Sequence, residues 1–245
     1  MEIDEYRRMA AVETSHWWYA QTRALLGELL ATRLPVGGRF LDAGAGTGAT
    51  GAWMSDRGRV EAADMEPLAL ELYRELHPEA GLAASDVRHL PYRSDVFDAV
   101  LCVTVLCHRS LPDPSEAVRE LVRVTRPGGV VCLMEPGVRR LRRAHDRVTH
   151  TGRRFARADL ASMLVDAGCS IEVATGAYSF LVPPAAVKAV LERGRTASDL
   201  DQAESGLGGV LPRLAAAERA VLRRKSLPFG LSVVAAGRKA AVASN

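Results

Sequence analysis

The strongest constraint in this chain is the stretch Phe40-Leu41-Asp42-Ala43-Gly44-Ala45-Gly46-Thr47-Gly48, an apolar run that enters a tight glycine turn. Glycine lets the backbone take φ > 0 and approach a ligand without Cβ atoms in the way. A helix-compatible segment, 49–56, leaves the turn. Freed N–H groups and a helix N-terminus would there form a polar, partly positive cradle. Asp64 lies 22 residues after Asp42, at the end of a second apolar run, Val60-Glu61-Ala62-Ala63. That spacing resembles a strand–helix–strand nucleotide unit, in which a carboxylate accepts hydrogen bonds from ribose hydroxyls. An ordinary βαβ turn with a solvated Asp has the same pattern.

Apolar runs and helical patterns then alternate steadily. Pro67 to Leu76 reads as a helix with proline in its first turn, and Leu82 to Ser85 as a short strand. Phe97 to Val103 is apolar enough to be a strand buried on both faces. Asp113 to Thr125 is an amphipathic helix, followed by Pro127-Gly128-Gly129 and the strand Val130 to Met134. Further elements are a helix at 158–167, a strand at 170–174 and a last strand at 231–236. This order predicts a doubly wound α/β fold around a seven-stranded, mostly parallel sheet. Residues 3–33 read as one helix within a helical cap over 1–36. The core spans 37–175 and 227–245, and 176–226 is a helical insertion, a lid or a dimer surface, interrupted by Gly206-Leu207-Gly208-Gly209.

Composition excludes several classes. With 48% apolar and 25% charged residues the chain is neither disordered nor fibrous. No run of 18 uncharged apolar residues occurs, and Met1 to Arg8 lacks the apolar region of a signal peptide, so a cytoplasmic location is expected. Cys102, Cys107, Cys132 and Cys169 form no C-x-x-C pair, and the histidines form no metal-binding pattern; no metal is expected. Arg139 to Arg157 holds eight arginines against one acid, Asp146. This stretch could steer an anionic acceptor or be a solvated basic face, since Lys188, Lys225 and Lys239 are the chain's only lysines. Without aromatic-basic interleaving, a nucleic-acid partner is not expected.

The ordered motifs resemble the class I S-adenosylmethionine-dependent methyltransferases. Asp42 to Gly48 matches their first motif, and Asp64-Met65 the ribose-binding acid with its adenine neighbour. Ser85-Asp86-Val87 resembles the adenine-amine contact, and Leu90-Pro91-Tyr92 follows in order. Val105-Leu106-Cys107-His108 and Arg123 to Gly129 stand where the family has V-L-x-H and its signature before strand five. The flanks are similar to a bacterial small-molecule, type 11-like subgroup: His16-Trp17-Trp18 with Arg23, His145-Asp146, His150 to Phe155, and Leu227 to Ser232. One extra residue, within Thr151-Gly152, departs from the subgroup's H-x-R-R pattern.

The resemblance implies S-adenosylmethionine as cofactor and S-adenosylhomocysteine as product. It implies binding by Trp18, Arg23, Asp42, Gly44, Ala45, Gly46, Gly48, Asp64, Met65, Asp86, Val87 and Val103. A loop that serves a methionine carboxylate and amine rather than a pyrophosphate needs no lysine, and Arg23 could pair with the carboxylate. Methyl transfer needs a general base only where the acceptor carries a proton. His108, His145 and His150 are the candidates, with His108 and His145 ranked level. The expected acceptor is a small molecule, as in antibiotic or other secondary metabolism, methylated on O, N or C; a peptide is the alternative. An NAD-dependent oxidoreductase and a non-catalytic nucleotide binder are readings of other classes. A homodimer is compatible with all of them.

Overall fold

The computed structural model describes residues 1–191 and 209–241. Its sheet has seven strands in the order β3-β2-β1-β4-β5-β7-β6. They are β1 (Gly38–Ala43), β2 (Gly58–Asp64), β3 (Gly81–Ala84), β4 (Phe97–Val103), β5 (Thr125–Pro136), β6 (Cys169–Ala177) and β7 (Ser232–Lys239). The first five pair in parallel, whereas β7 runs antiparallel between β5 and β6. The strand order reverses between β1 and β4, which opens a crevice at the carboxyl ends of these strands.

β4 shows why the sheet is covered on both faces. Val100 and Cys102 enter one apolar cluster with Leu121 and Val122 of α4 (Pro114–Val124) and Leu160 and Leu164 of α6 (Arg157–Asp166). Ala99, Leu101 and Val103 point the other way, toward Leu26 and Leu30 of α2 (Trp17–Leu30) and Leu222 of α8 (Val210–Leu222). A period of two with both faces apolar leaves a strand nowhere but the middle of such a sandwich. α4 is capped by Asp113, whose carboxylate accepts from Ser115 N at 2.8 Å, with Pro114 in the first turn. Its far end is closed by Lys239, whose Nζ donates to the carbonyls of Val122 and Thr125, both at 2.8 Å.

The structure departs from the sequence pattern in four places. The helix expected over 3–33 is two helices, α1 (Ile3–Val12) and α2, because His16 leaves the helical conformation and its Nδ1 accepts from Trp18 N as an N-cap. The segment 49–56 forms only a 3-10 turn at Ala52–Asp56, since the chain first passes Gly51 closely over Asp42. β5 begins at Thr125 and absorbs 126–129 as a bulged strand beside Phe97 and Ala99. β6 and β7 run three residues beyond their expected ends, because the antiparallel ladder lets each satisfy the other's backbone. Of the interruption expected at 206–209, only Gly209 falls within the described residues.

The helical segment after β6 contains α7 (Val182–Leu191) and α8. α8 lies along α2, tied by Arg219 and Arg223 to Glu28 at 3.2 and 3.0 Å. The remaining helices are α3 (Pro67–Leu76) and the short α5 (His145–Val148).

Leu121 is fully buried between α4 and the sheet. Leu121→Ala is expected to lower stability by about 2–5 kcal/mol through lost contacts and a residual cavity, read as the urea midpoint shift.

Candidate functional site

The glycine turn sits at the carboxyl end of β1. Gly44, Gly46 and Gly48 have φ of 72°, 55° and 101°, in the left-handed region that favours glycine. At Gly44 space is decisive as well: a Cβ there would lie 2.2 Å from Val105 Cγ2. The turn is bound to β2, with Gly44 N and Ala45 N donating to Ala63 O at 2.7 and 3.0 Å. Gly46 N donates to Asp64 Oδ2 at 2.8 Å, and Glu66 N donates to Oδ1 at 2.9 Å. Asp64 therefore braces two turns from the bottom of the crevice.

Beneath the turn lies Asp42, 1% exposed, whose Oδ2 finds no hydrogen-bond partner among the described residues. Burial, then repulsion from Asp64 and Glu13, pushes its carboxyl up to about 8. The Tyr73 hydroxyl, also buried and without a partner, stands in the field of Asp42. Glu13, in the break between α1 and α2, accepts a hydrogen bond from the Thr47 hydroxyl, and burial pushes its carboxyl up to about 7. Arg23 lies beside this group, but Nη1 donates to the carbonyls of Glu13 and Ala49 at 3.1 and 2.9 Å. It fastens the α1–α2 junction to the glycine loop.

Above the turn is a cavity of about 180 Å³. Of the residues expected at the site, Gly44, Asp64, Met65, Asp86, Val87 and His108 line it. Asp42, Ala45, Gly46 and Gly48 belong to the turn without lining the cavity, and Val103 is packed in the core below. Trp18 is not brought to the cavity; its ring meets Tyr19 edge-on at 5.0 Å, and it packs against the α2 core. The roof comes from α1, through Tyr6, rather than from α7 or α8. The phenol of Tyr6 is raised by burial and by the nearby charges of Asp64 and Glu66.

Asp86 is held by Arg88, with Nε at 3.0 Å from Oδ1 and Nη2 at 2.6 Å from Oδ2. These bonds hold its carboxyl below the usual range, so it stays an acceptor. His108 faces the cavity, and burial pushes its imidazole down to about 4, aided by the positive N-terminus and His150. At neutral pH it is uncharged.

The other two histidines lie elsewhere. His145 is not among the cavity residues. Its neighbour Asp146 serves Arg154: Arg154 Nη2 stands 2.5 Å from Oδ1 in a buried pair, and Arg143 N donates to Oδ2 at 2.9 Å. His150 Nε2 meets Glu2 Oε1 at 2.7 Å, away from the cavity wall. At least half of the basic stretch is engaged within the chain, with exposed Arg139 on Asp159, Arg153 on the Leu111 and Pro112 carbonyls, and Arg157 on the Ala174 carbonyl. These four arginines, Arg154 included, hold loops together rather than facing an incoming anion.

Sequence reasoning missed Glu13, Tyr6, Val105, Arg88 and Glu135. Thr47 and Val105 stood inside recognised motifs and Arg88 between two of them, but no spacing rule links Glu13 to Thr47 across 34 residues. Glu135 had a readable signal, an acid at the end of an otherwise apolar strand.

The donor set fits a cationic, hydroxyl- and amine-bearing ligand. Asp42 Oδ2 and Ser85 Oγ are buried acceptors left unsatisfied, and the cradle at Gly44 admits only backbone. Acids crowd this turn, and Arg88 at the cavity wall is engaged by Asp86.

Residues 41–133 match the family described as Methyltransferase domain. Within those residues, rather than over its whole length, the chain carries a class I methyltransferase domain of the type 11 kind. The family and its fold imply S-adenosylmethionine as the cofactor. Among curated proteins, Methyltransferase GfsG of Streptomyces halstedii is 32% identical over 49% of this chain and 46% of its own. Malonyl-[acyl-carrier protein] O-methyltransferase of Pectobacterium atrosepticum is 31% identical over 62% of this chain and 60% of its own. Demethylmenaquinone methyltransferase of Renibacterium salmoninarum is 35% identical over 40% and 41%. The chain thus spans about half the length of these relatives, between 41% and 60%.

Among solved structures, a chain from the complex of the Haloferax volcanii Trm112 methyltransferase activator with a methyltransferase superposes with a TM-score of 0.63 at 19% identity, covering 99% of this chain and 97% of its own. The [4+2]-cyclase SpnF gives 0.59 at 21%, covering 89% and 81%. These two share the fold. Among the described residues no helix is long and apolar enough to cross a membrane, and no cluster suits a metal ion.

The buried acids give the ligand-free domain a characteristic pH response. Asp42 rises from 3.8 to about 8 and Glu13 from 4.5 to about 7 on folding, so the folded state binds more protons between those values. Stability must then fall as pH rises through that window, by up to ~1.4 kcal/mol per pH unit per group. His108, depressed from 6.5 to about 4, opposes this only below 6.5. The expected result is a falling urea midpoint from about pH 6.5 to 8, flattened in Asp42→Asn.

Proposed function

We propose that this domain transfers the methyl group of S-adenosylmethionine to a small-molecule acceptor, with the cavity at the carboxyl ends of β1, β2 and β4 as the transfer site. The observation that carries this reading is the glycine turn over unsatisfied Asp42 and braced by Asp64, opening into a cavity that His108 faces. When bound, the cofactor supplies a methyl group already activated on a cationic sulfur.

The residues of the chain then have distinct tasks. Asp64 is placed to accept from ribose hydroxyls, and Asp86, kept ionised by Arg88, from an adenine amine. Asp42 and the turn's backbone suit the ammonium of the amino-acid end. Tyr6 and Val105 keep water from the cavity, and a dry, fixed site suffices for much of the rate: approximation alone supplies on the order of 7–11 kcal/mol. Neutral His108 takes the proton of an acceptor that carries one.

Small-molecule acceptors are supported by the relatives, whose names specify a carrier-bound malonyl group and demethylmenaquinone. These acceptors differ from each other, so the acceptor of this chain is not inherited from either. A second reading is non-methylating use of the same pocket, favoured by the shared fold of SpnF, named as a cyclase. Incubation with S-adenosylmethionine and candidate acceptors, followed by mass spectrometry, separates the two. A product heavier by one methylene with S-adenosylhomocysteine released supports transfer; acceptor conversion without cofactor consumption refutes it.

Asp64→Ala is expected to weaken S-adenosylhomocysteine binding by roughly 1–3 kcal/mol, measured by titration calorimetry. Unchanged affinity would remove Asp64 from the ribose site. His108→Ala is expected to slow turnover of a protonated acceptor by about 10²–10⁴ with cofactor affinity nearly intact. Rates equal to wild type would leave His108 as a wall residue.

A further inference from the structure

We propose that Glu135 is a positioning residue of the transfer site: its carboxylate fixes the turn that presents Val105 and His108 to the cavity. The proposal rests on the reading of that cavity as the place of methyl transfer.

Glu135 is 0% exposed near the end of β5. Oε1 accepts from Val105 N at 3.0 Å and Leu106 N at 2.8 Å, and Oε2 from Cys107 N at 3.1 Å. Beyond β4 the chain turns over the sheet edge, with Thr104 at φ 56° and its N donating to Met134 O at 2.7 Å. The next three N–H groups lie beyond the reach of any strand, and each buried donor left unmade costs about 1–3 kcal/mol. One carboxylate gathers all three. Burial pushes Glu135 up to about 7, and the same backbone donors hold it from rising further.

The turn is clamped from the opposite side as well. Gly152 N and Arg153 N donate to Cys107 O at 2.8 and 3.2 Å, and Arg109 N donates to His150 O at 3.0 Å. Val105 fills the space above Gly44, and His108 ends the same turn in the cavity wall. A displacement of this turn moves the cofactor cradle and the acceptor-facing histidine together. Glutamine keeps the size of Glu135 but turns one acceptor into a donor aimed at an N–H; aspartate keeps both acceptors on a shorter arm.

The test compares Glu135→Gln, Glu135→Asp and Leu121→Ala with the unaltered full chain by NMR. The readouts are amide exchange at 105–107 and titration of the His108 imidazole, which is faced by the Thr104 backbone, His150 and the N-terminus. In Glu135→Gln, exchange at 105–107 should rise about tenfold beyond that of Val100 to Cys102. The His108 midpoint should move up by about one pH unit as the ring loses its buried berth. Glu135→Asp should change both in the same direction by less, and it carries the test if the glutamine variant does not fold. Leu121→Ala should lower stability without either local change. The proposal is overturned if 105–107 and His108 match the unaltered protein, or if they change only as much as in Leu121→Ala. Calorimetry of the unaltered chain with S-adenosylhomocysteine judges the methyl-transfer reading separately: no binding there removes that reading, whereas the NMR readouts decide what Glu135 holds.

Discussion

Everything at the site depends on how closely the backbone of the glycine turn can approach its neighbours. Val105 occupies the volume a side chain at position 44 would need, and Asp64 takes the N–H of Gly46. The first contact locks the turn to β4, the second to β2. Because β1 lies between those strands in the sheet, the turn is held from both sides of the point where strand order reverses. Any side chain at Gly44 would separate the turn from Val105, and with it from the wall that carries His108.

A second constraint is electrostatic. Asp42, Glu13 and Asp64 are buried close together, and burial raises the proton affinity of each. Nearby Arg23 donates from Nη1 to the backbone carbonyls of Glu13 and Ala49. The acids gathered at the turn favour a ligand that brings its own positive charge there, which is what an ammonium group offers. The turn leads only into the 3-10 segment Ala52–Asp56, so no α-helix N-terminus stands behind it as in dinucleotide sites.

Much of the fold was legible because its signals are local. β4 is apolar on both faces, α4 carries its cap and proline, and the glycines mark the turn within a few residues of one another. Motif order did bring Asp64, Asp86 and His108 to the wall of one cavity. The site was not legible where one residue reaches another far along the chain. Glu13 meets Thr47 across 34 residues, and Glu135 meets Leu106 across 29. Neither contact leaves a periodicity. Likewise the sequence does not show that His16 caps a helix or that Asp146 pairs with Arg154.

By itself, then, the sequence determined the layered α/β architecture, the glycine turn and the acid that braces it, because hydrophobic periodicity and glycine's freedom act over a few residues. Tertiary structure alone decided that Tyr6 of α1 roofs the cavity, that Arg153, Arg154 and Arg157 are bonded to neighbouring loops, and that His108 rather than His145 lines the cavity. Those outcomes depend on which surfaces meet when the sheet is assembled, and on buried charges finding partners that sequence separation hides.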